Sequence, residues 1–231
     1  MDFMRDVEYT RIDLDKGRER RRGKVVVDGV VTVKVNDRPP FKMTVLPQDM
    51  EDAAIGRLFF MGLIGSVDDV IDIKRRGSSV ELRIKEREMK LSKIGSDLRV
   101  EAGVLALCMK RLFASTEVWE LTGGVHSAGL FDKEGRLIRA ADDIGKGNAI
   151  DKVVGWGLRE KVDFSGTILA STGRQIGFMV EKAVRAGIPI VVSRGAPLAS
   201  SIDVADRYGV TLVCFAKGRR MNVYTCEHRV L

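Results

Sequence analysis

The chain has 231 residues and carries 39 Lys and Arg against 32 Asp and Glu, a formal charge of +7 with its two histidines neutral. Hydrophobic residues make up 45% and aromatics 6%, the balance of a globular protein with a real core. No apolar run approaches the roughly 20 residues of a membrane span and no charged-then-apolar leader is read, so the expectation is a cytoplasmic protein with no membrane contact. Cys108, Cys214 and Cys226 are odd in number and far apart, which excludes a disulfide framework and a CxxC metal or redox pair. The cationic runs at 18–24 and 217–220 lack the aromatic platforms or reading helix that nucleic acid needs, so no nucleic-acid partner is expected.

Residues 1–24 read as a basic arm, ordered only when paired with something. Apolar runs at 25–27 and 30–35 flank Asp28-Gly29, whose positive φ values suit a type I′ hairpin turn. A strand resumes over 41–46, and Pro47 opens a helix with Asp49, Glu51 and Asp52 in its first turn and Met50, Ala53, Ala54, Leu58 and Met61 on its apolar face. Strands at 70–74 and 80–85, separated by Gly77-Ser78, complete a small α+β domain over 25–95.

From Ser96 the pattern changes. A helix is expected over 97–114, capped by Ser96 or Asp97, with Val100, Val104, Leu107, Cys108 and Leu112 at helical spacing. A strand at 167–170 then runs into Ser171-Thr172-Gly173-Arg174 and a helix faced by Ile176, Met179, Val180, Ala183 and Val184. A strand at 188–192 runs into Ser193-Arg194-Gly195 and a helix through Ile202 and Ala205. A strand at 210–215 leads to a Lys217-Gly218-Arg219-Arg220 loop and a last strand at 222–224. This alternation predicts βαβ units, hence a mainly parallel sheet flanked by helices over 96–231, with ligands beyond the carboxyl ends of the strands. The Ser171 and Ser193 loops each combine a hydroxyl, a glycine and an arginine, and are expected at helix N-termini on one rim, where a phosphate or pyrophosphate would be held. Lys217, Arg219 and Arg220 would add cations there.

The stretch 121–155 gathers glycines around His126, the Asp142-Asp143 pair and an Asn148-x-x-Asp151-Lys152 set, a mixture suited to close approach of a ligand. His126 could serve as a metal ligand, a base or a stacking contact. It lacks the H-x-E and P-C-x-x-C partners of a zinc deaminase, and neither a G-x-S-x-G elbow nor a Walker loop is present. The residues favour holding a polyanion over a recognisable reaction, and no metal is expected.

The blocks TGGVHSAGLFD (122–132), DDIGKGNAIDKVVGWGL (142–158), STGRQIGFMVEKAVRAGIPIVVSRGAP (171–197) and TLVCFAKGRRMNVYT (211–225) resemble the FdhD family of formate dehydrogenase accessory proteins, and the likeness extends upstream to about residue 25. The resemblance implies an α/β fold: a cytidine-deaminase-like three-layer α/β/α domain over 96–231, preceded by the smaller α+β domain. It implies a role in formate dehydrogenase maturation, passing sulfur from a cysteine desulfurase to bis-molybdopterin guanine dinucleotide, with GDP as a mimic of that cofactor's nucleotide, and a homodimer. Carried over by position, the cofactor-binding residues are Phe215, Ala216, Lys217, Gly218, Arg219 and Arg220, then Ser171, Gly173 and Arg174, then His126, and finally Asp143, Asn148, Asp151 and Lys152; Ser193 joins them on the shared rim.

Two departures stand out. The family's C-G-x-C-G loop, where a cysteine forms a persulfide, corresponds to residues 85–99, which contain no cysteine; serine cannot replace a thiolate in that step. Gly147 stands where family members usually carry a histidine. Two readings follow: a cofactor-binding accessory protein, or a cysteine-less binding module or scaffold for a desulfurase or dehydrogenase partner.

Overall fold

A computed structural model describes residues 3–231. Strand β3 (Gly29–Val35) alternates buried Val31, Val33 and Val35 with outward residues, the period of a half-covered strand. It pairs antiparallel with β4 (Phe41–Val45) and parallel with β6 (Ser79–Ile84), and β6 pairs antiparallel with β5 (Val70–Arg76). Helix α1 (Met50–Phe60) packs its buried residues into the same core as these strands.

The larger sheet has six strands in the order β12-β11-β10-β9-β7-β8. Strands β9 (Ile168–Ser171), β10 (Ile190–Ser193) and β11 (Thr211–Lys217) are parallel. β7 (His126–Phe131) runs antiparallel to β9 and forms a hairpin with β8 (Leu137–Asp143), while β12 (Arg220–Val223) returns antiparallel to β11. All four residues of both β9 and β10 are buried, as expected of central strands covered on two faces. Helix α2 (Ala102–Ala114) covers one face through Leu105, Cys108, Met109 and Leu112. Helices α4 (Lys146–Arg159), α5 (Gly177–Ala186) and α6 (Ala199–Tyr208) cover the other, and their core continues into α1 and the smaller sheet. The three-layer α/β/α arrangement is as the sequence suggests. Short α3 (Glu117–Thr122) precedes β7. No helix among the described residues is long and apolar enough to cross a membrane.

Several expectations are corrected. The basic arm, expected to be ordered only when paired, finds its pair within itself: β1 (Met4–Asp13) and β2 (Gly17–Val26) form a ribbon of ten antiparallel pairs closed by Gly17 at φ +83°. Residues 25–27 and 30–35 are therefore not the arms of one hairpin, since the first belongs to β2 and the second pairs with β4 and β6. The helix expected from Pro47 starts at Met50, after Asp49 in a left-handed conformation. The Leu46 amide donates to the Asp143 carboxylate and its carbonyl accepts from Lys152 Nζ, so both backbone groups are held outside any helix just before Pro47. Helix α2 starts at Ala102 and not at 97, because residues 100–102 pair in extended form with the C-terminal segment at Arg229 and Leu231. The six-stranded sheet is parallel only in its centre. The β7–β8 hairpin is an addition to the sequence reading, since its glycine-rich stretch carries no strand signal.

Candidate functional site

The carboxyl ends of β9, β10 and β11 and the amino end of β7 share one rim, with Ser171 level with Ala128 and Ser193. The Ser171 and Ser193 loops are knitted together there. Ser193 Oγ donates to the Gly173 carbonyl at 2.6 Å, and Gln175 Nε2 donates to Ser171 Oγ at 2.7 Å. The Gln175 amide donates to Ala196 and the Leu198 amide to Gln175. A Cβ on Gly195 would fall 2.6 Å from the Gly173 carbonyl, so the backbones touch. Helices α5 and α6 begin only at Gly177 and Ala199, and neither has a side-chain cap. The expected placement of these loops at helix N-termini is therefore corrected: Ser171 and Ser193 are buried hydroxyls that join two loops.

Two cavities open on the rim. The first, about 620 Å³, lies between the outward side of α2 and the β11–β12 turn; Lys110, Arg194, Lys217 and Arg219 surround a floor that includes Ala106, Leu107 and Met221. The second, about 380 Å³, is bounded by Trp119, Gly123, Gly124, His126, Ile144 and Thr172. Phe113 and Arg194 line both, and the Arg194 guanidinium sits 4.9 Å over the Phe113 ring. The pair forms a shared wall, and the cavities read as two lobes of one trough with no carboxylate in either lining. Guanidinium and ammonium groups that make no ion pair among the described residues, set beside apolar walls, suit an anion that also carries flat rings.

The β11–β12 turn is shaped for this position. Its register shifts between Cys214 and Lys217, and Phe215 takes φ +53°, a costly conformation for a bulky residue, held by the hydrogen bond its backbone N–H donates to the Gly195 carbonyl. The bulge buries Ala216 and leaves Lys217, Gly218 and Arg219 on the first lobe. Phe215 is exposed beside the rim, while Arg174 and Arg220 are exposed and line neither lobe. His126 is half-buried, and burial, with Lys146 adding to it, holds its pKa below the usual histidine range. It is therefore neutral near pH 7, a hydrogen-bonding and stacking group and not a countercharge. Among the described residues no group of three or more His, Cys, Asp or Glu could hold a metal.

Asp143, Asn148, Asp151 and Lys152 lie elsewhere, inside the protein. Lys152 Nζ donates to Asp143 at 2.7 Å and to the carbonyls of Leu46 and Asp142. Asp143 also accepts from the Leu46 and Gly145 amides and from Asn148 Nδ2. Asp151 accepts from Arg57 Nε at 2.9 Å and from Lys182 Nζ, which also donates to the Gly147 carbonyl. Arg57 reaches Asn148 Oδ1 as well. Every charge in this set has an internal partner, so the four residues fasten α4 to β8, α1, α5 and the end of β4 instead of facing the trough. Arg57 and Lys182 complete the network and were not singled out from the sequence. Their only signal is a long cation set among apolar helix positions.

The thiols are poorly disposed for chemistry. Burial pushes Cys108 and Cys214 up to about 12, and Cys226 is only partly exposed. Residues 86–99 form no helix or strand.

The sequence pattern of the FdhD/NarQ family matches residues 77–231. The chain is 33% identical over 254 residues to the sulfur carrier protein FdhD of Methanothermobacter thermautotrophicus, covering all of both chains. It is 32% identical over 208 residues to the sulfur carrier protein FdhD of Sulfurisphaera tokodaii, covering 80% of this chain and 82% of that one. A crystal structure from Desulfotalea psychrophila, assigned as a formate dehydrogenase accessory protein, matches with a TM-score of 0.90 at 27% identity over the whole of both chains.

Proposed function

The chain belongs to the FdhD/NarQ family, and from that premise we propose that it is a formate dehydrogenase accessory protein that holds the guanine-dinucleotide end of bis-molybdopterin guanine dinucleotide in the two-lobed trough, without itself carrying sulfur. The observation that supports it most is the Arg194–Phe113 stack between two cavities whose only charged side chains are cations. When bound, the cofactor supplies the metal and dithiolene chemistry that the dehydrogenase uses. The chain's own part is recognition. Lys110, Arg194, Lys217 and Arg219 neutralise diphosphate oxygens, and the Phe113 and Trp119 rings offer faces for flat groups. Gly123 and Gly124 present bare backbone to the second lobe, and neutral His126 donates or accepts one hydrogen bond there. The partners of this reading are formate dehydrogenase and a second copy of the chain; a cysteine desulfurase is a partner in the scaffold alternative.

The test is calorimetric titration with GDP. Arg194→Ala and Arg219→Ala each remove a charged hydrogen-bond donor worth about 1.5–3 kcal/mol, so affinity should fall about tenfold to a hundredfold. Arg174→Ala, outside the trough, should bind as the unaltered chain does. Absence of GDP binding would overturn the reading and leave the scaffold alternative.

A further inference from the structure

The β1–β2 ribbon lies outside the trough and outside the residues matched to the family. Its root is packed: Phe3, Met4 and Val26 join the cluster of Leu46, Val118 and Val125. Its outer half is bare on both faces, with every residue of 8–12 and 17–22 exposed, and with Tyr9 at 46%, Ile12 at 60% and Leu14 at 99% exposure. A two-stranded ribbon with no covered face is marginal in water. Among the described residues no backbone group of 18–22 bonds outside the ribbon, so the outer edge of β2 is free.

The register decides which charges share a face. Ile12 lies opposite Arg18, Thr10 opposite Arg20, Glu8 opposite Arg22 and Asp6 opposite Lys24. Four cations thus follow one another along one face of β2. Lys24 has Asp6 at 3.6 Å, whereas Arg18, Arg20 and Arg22 make no ion pair among the described residues. Such a row repels a second copy of itself and favours a strand of opposite charge.

We infer that the outer half of the ribbon is a docking site for an acidic, extended segment of a partner protein, which adds as a third strand along β2 with its carboxylates beside Arg18, Arg20 and Arg22. Backbone bonding to the free edge supplies affinity, and the cation row supplies register and sign. The root fixes where that partner arrives. Val26 packs on Gly124, where an added Cβ would sit 3.0 Å from Val26 Cγ2, and Gly124 lines the second lobe of the trough. A protein seated on Arg18–Arg22 therefore lies about 13 Å or more, four or more strand residues, along the ribbon from the lobe that His126 lines. The inference does not depend on what the trough binds.

The test uses the full chain and a labelled, acetylated octapeptide of alternating Glu and Thr, followed by fluorescence anisotropy and amide hydrogen exchange. Binding is expected, weakening with salt, with added protection confined to residues of β2. The Arg18→Glu/Arg20→Glu/Arg22→Glu variant should lose about tenfold or more in affinity, with its thermal unfolding unchanged, and the matching Lys-Thr peptide should not bind. Three results would each overturn the inference: no acidic-peptide binding, protection elsewhere than β2, or equal binding by the charge-reversed ribbon. Preference for a short DNA duplex over the peptide would assign the ribbon to nucleic acid instead, and ribbon-dependent dimerisation without peptide binding would assign it to a second copy.

Discussion

Helices α1 and α4 cross with their backbones in contact, and the crossing depends on two glycines. A Cβ on Gly155 would stand 1.9 Å from the Asp52 carbonyl oxygen and 2.8 Å from its carbon; one on Gly56 would stand 2.0 Å from the Asp151 carbonyl oxygen. Carbon and oxygen atoms in ordinary contact stay about 3.3 Å apart or more, so Gly155→Ala forces α1 back by more than an ångström. Neither helix can yield cheaply. Ala53, Ala54 and Leu58 on α1 and Val153 and Val154 on α4 are fully buried, and Arg57 would be drawn away from Asp151. Overpacking costs about 1–3 kcal/mol in a tight core, and loosening a buried charge pair adds to it. The better helix propensity of alanine returns about 1 kcal/mol. The net expectation is a loss of about 2 kcal/mol or more, read as a lower urea midpoint at unchanged slope. Gly103→Ala is the counterpart, since an added Cβ on this α2 residue meets nothing within 4 Å, and it should gain up to about 1 kcal/mol. A Gly155→Ala protein as stable as the parent would refute the contact argument.

Three further outcomes follow from buried groups. In the native protein Cys108 and Cys214, both fully buried and pushed up to about 12, should resist iodoacetamide, and mass spectrometry should find any label on Cys226. Asp151→Ala leaves Lys182 and Arg57 as neighbouring buried or half-buried cations, and should cost about 3–5 kcal/mol in urea denaturation. Burial, with Asp143 adding to it, raises the Asp142 carboxyl, against the Ser127 hydrogen bond and Lys152. The unfolded chain gives up this proton near pH ~4, before the native protein does, so the group lowers stability as pH rises through that window. Asp142→Asn should gain stability relative to the parent across the same window and hold the gain above it, measured by urea midpoints at pH values on either side.

The α5–β10–α6–β11 succession was legible because its signals are local: unbroken apolar runs for β9 and β10, and Gly187 and Gly209 at φ +77° and +74° ending the helices. The ribbon was not legible for a physical reason. A strand announces itself through alternation only when one face is buried, and over the outer half of β1–β2 neither face is. The β7–β8 hairpin was hidden by its glycines, which read as loop; yet Gly129 lies inside the sheet because Phe131 and Leu112 occupy the space its side chain would need. The site divides along the same line. The cationic β11–β12 turn and His126 were identifiable as residues. Which arginine faces the trough was not, because Arg174 and Arg194 differ only in how their loops turn. Asp151 and Lys152 look like a solvated pair on a helix, and only Arg57, Leu46 and Lys182, distant in sequence, make them interior.

The position of Cys226 decides whether sulfur could pass through this chain by an alternative cysteine. Sulfur transfer requires a thiolate to attack the outer sulfur of a donor persulfide. With burial pushing their thiols up to about 12, Cys108 and Cys214 hold almost no thiolate at neutral pH, which leaves Cys226. Its carbonyl accepts from Thr211 Oγ1 at 2.9 Å, and Thr211 opens β11. Lys217 closes that strand and lines the trough. Seven residues of strand at about 3.3 Å each separate the two ends by roughly 20 Å, and the sheet itself stands between. A persulfide formed on Cys226 would therefore face the wrong end of the β-layer. Incubation with a desulfurase and cysteine should add no sulfur to Cys108 or Cys214, and Cys226→Ser should leave both GDP binding and dehydrogenase activation, in cells without another family member, as they were. Loss of activation in Cys226→Ser, with GDP binding intact, would show that the two ends of β11 communicate and would restore a sulfur-carrying role to this chain.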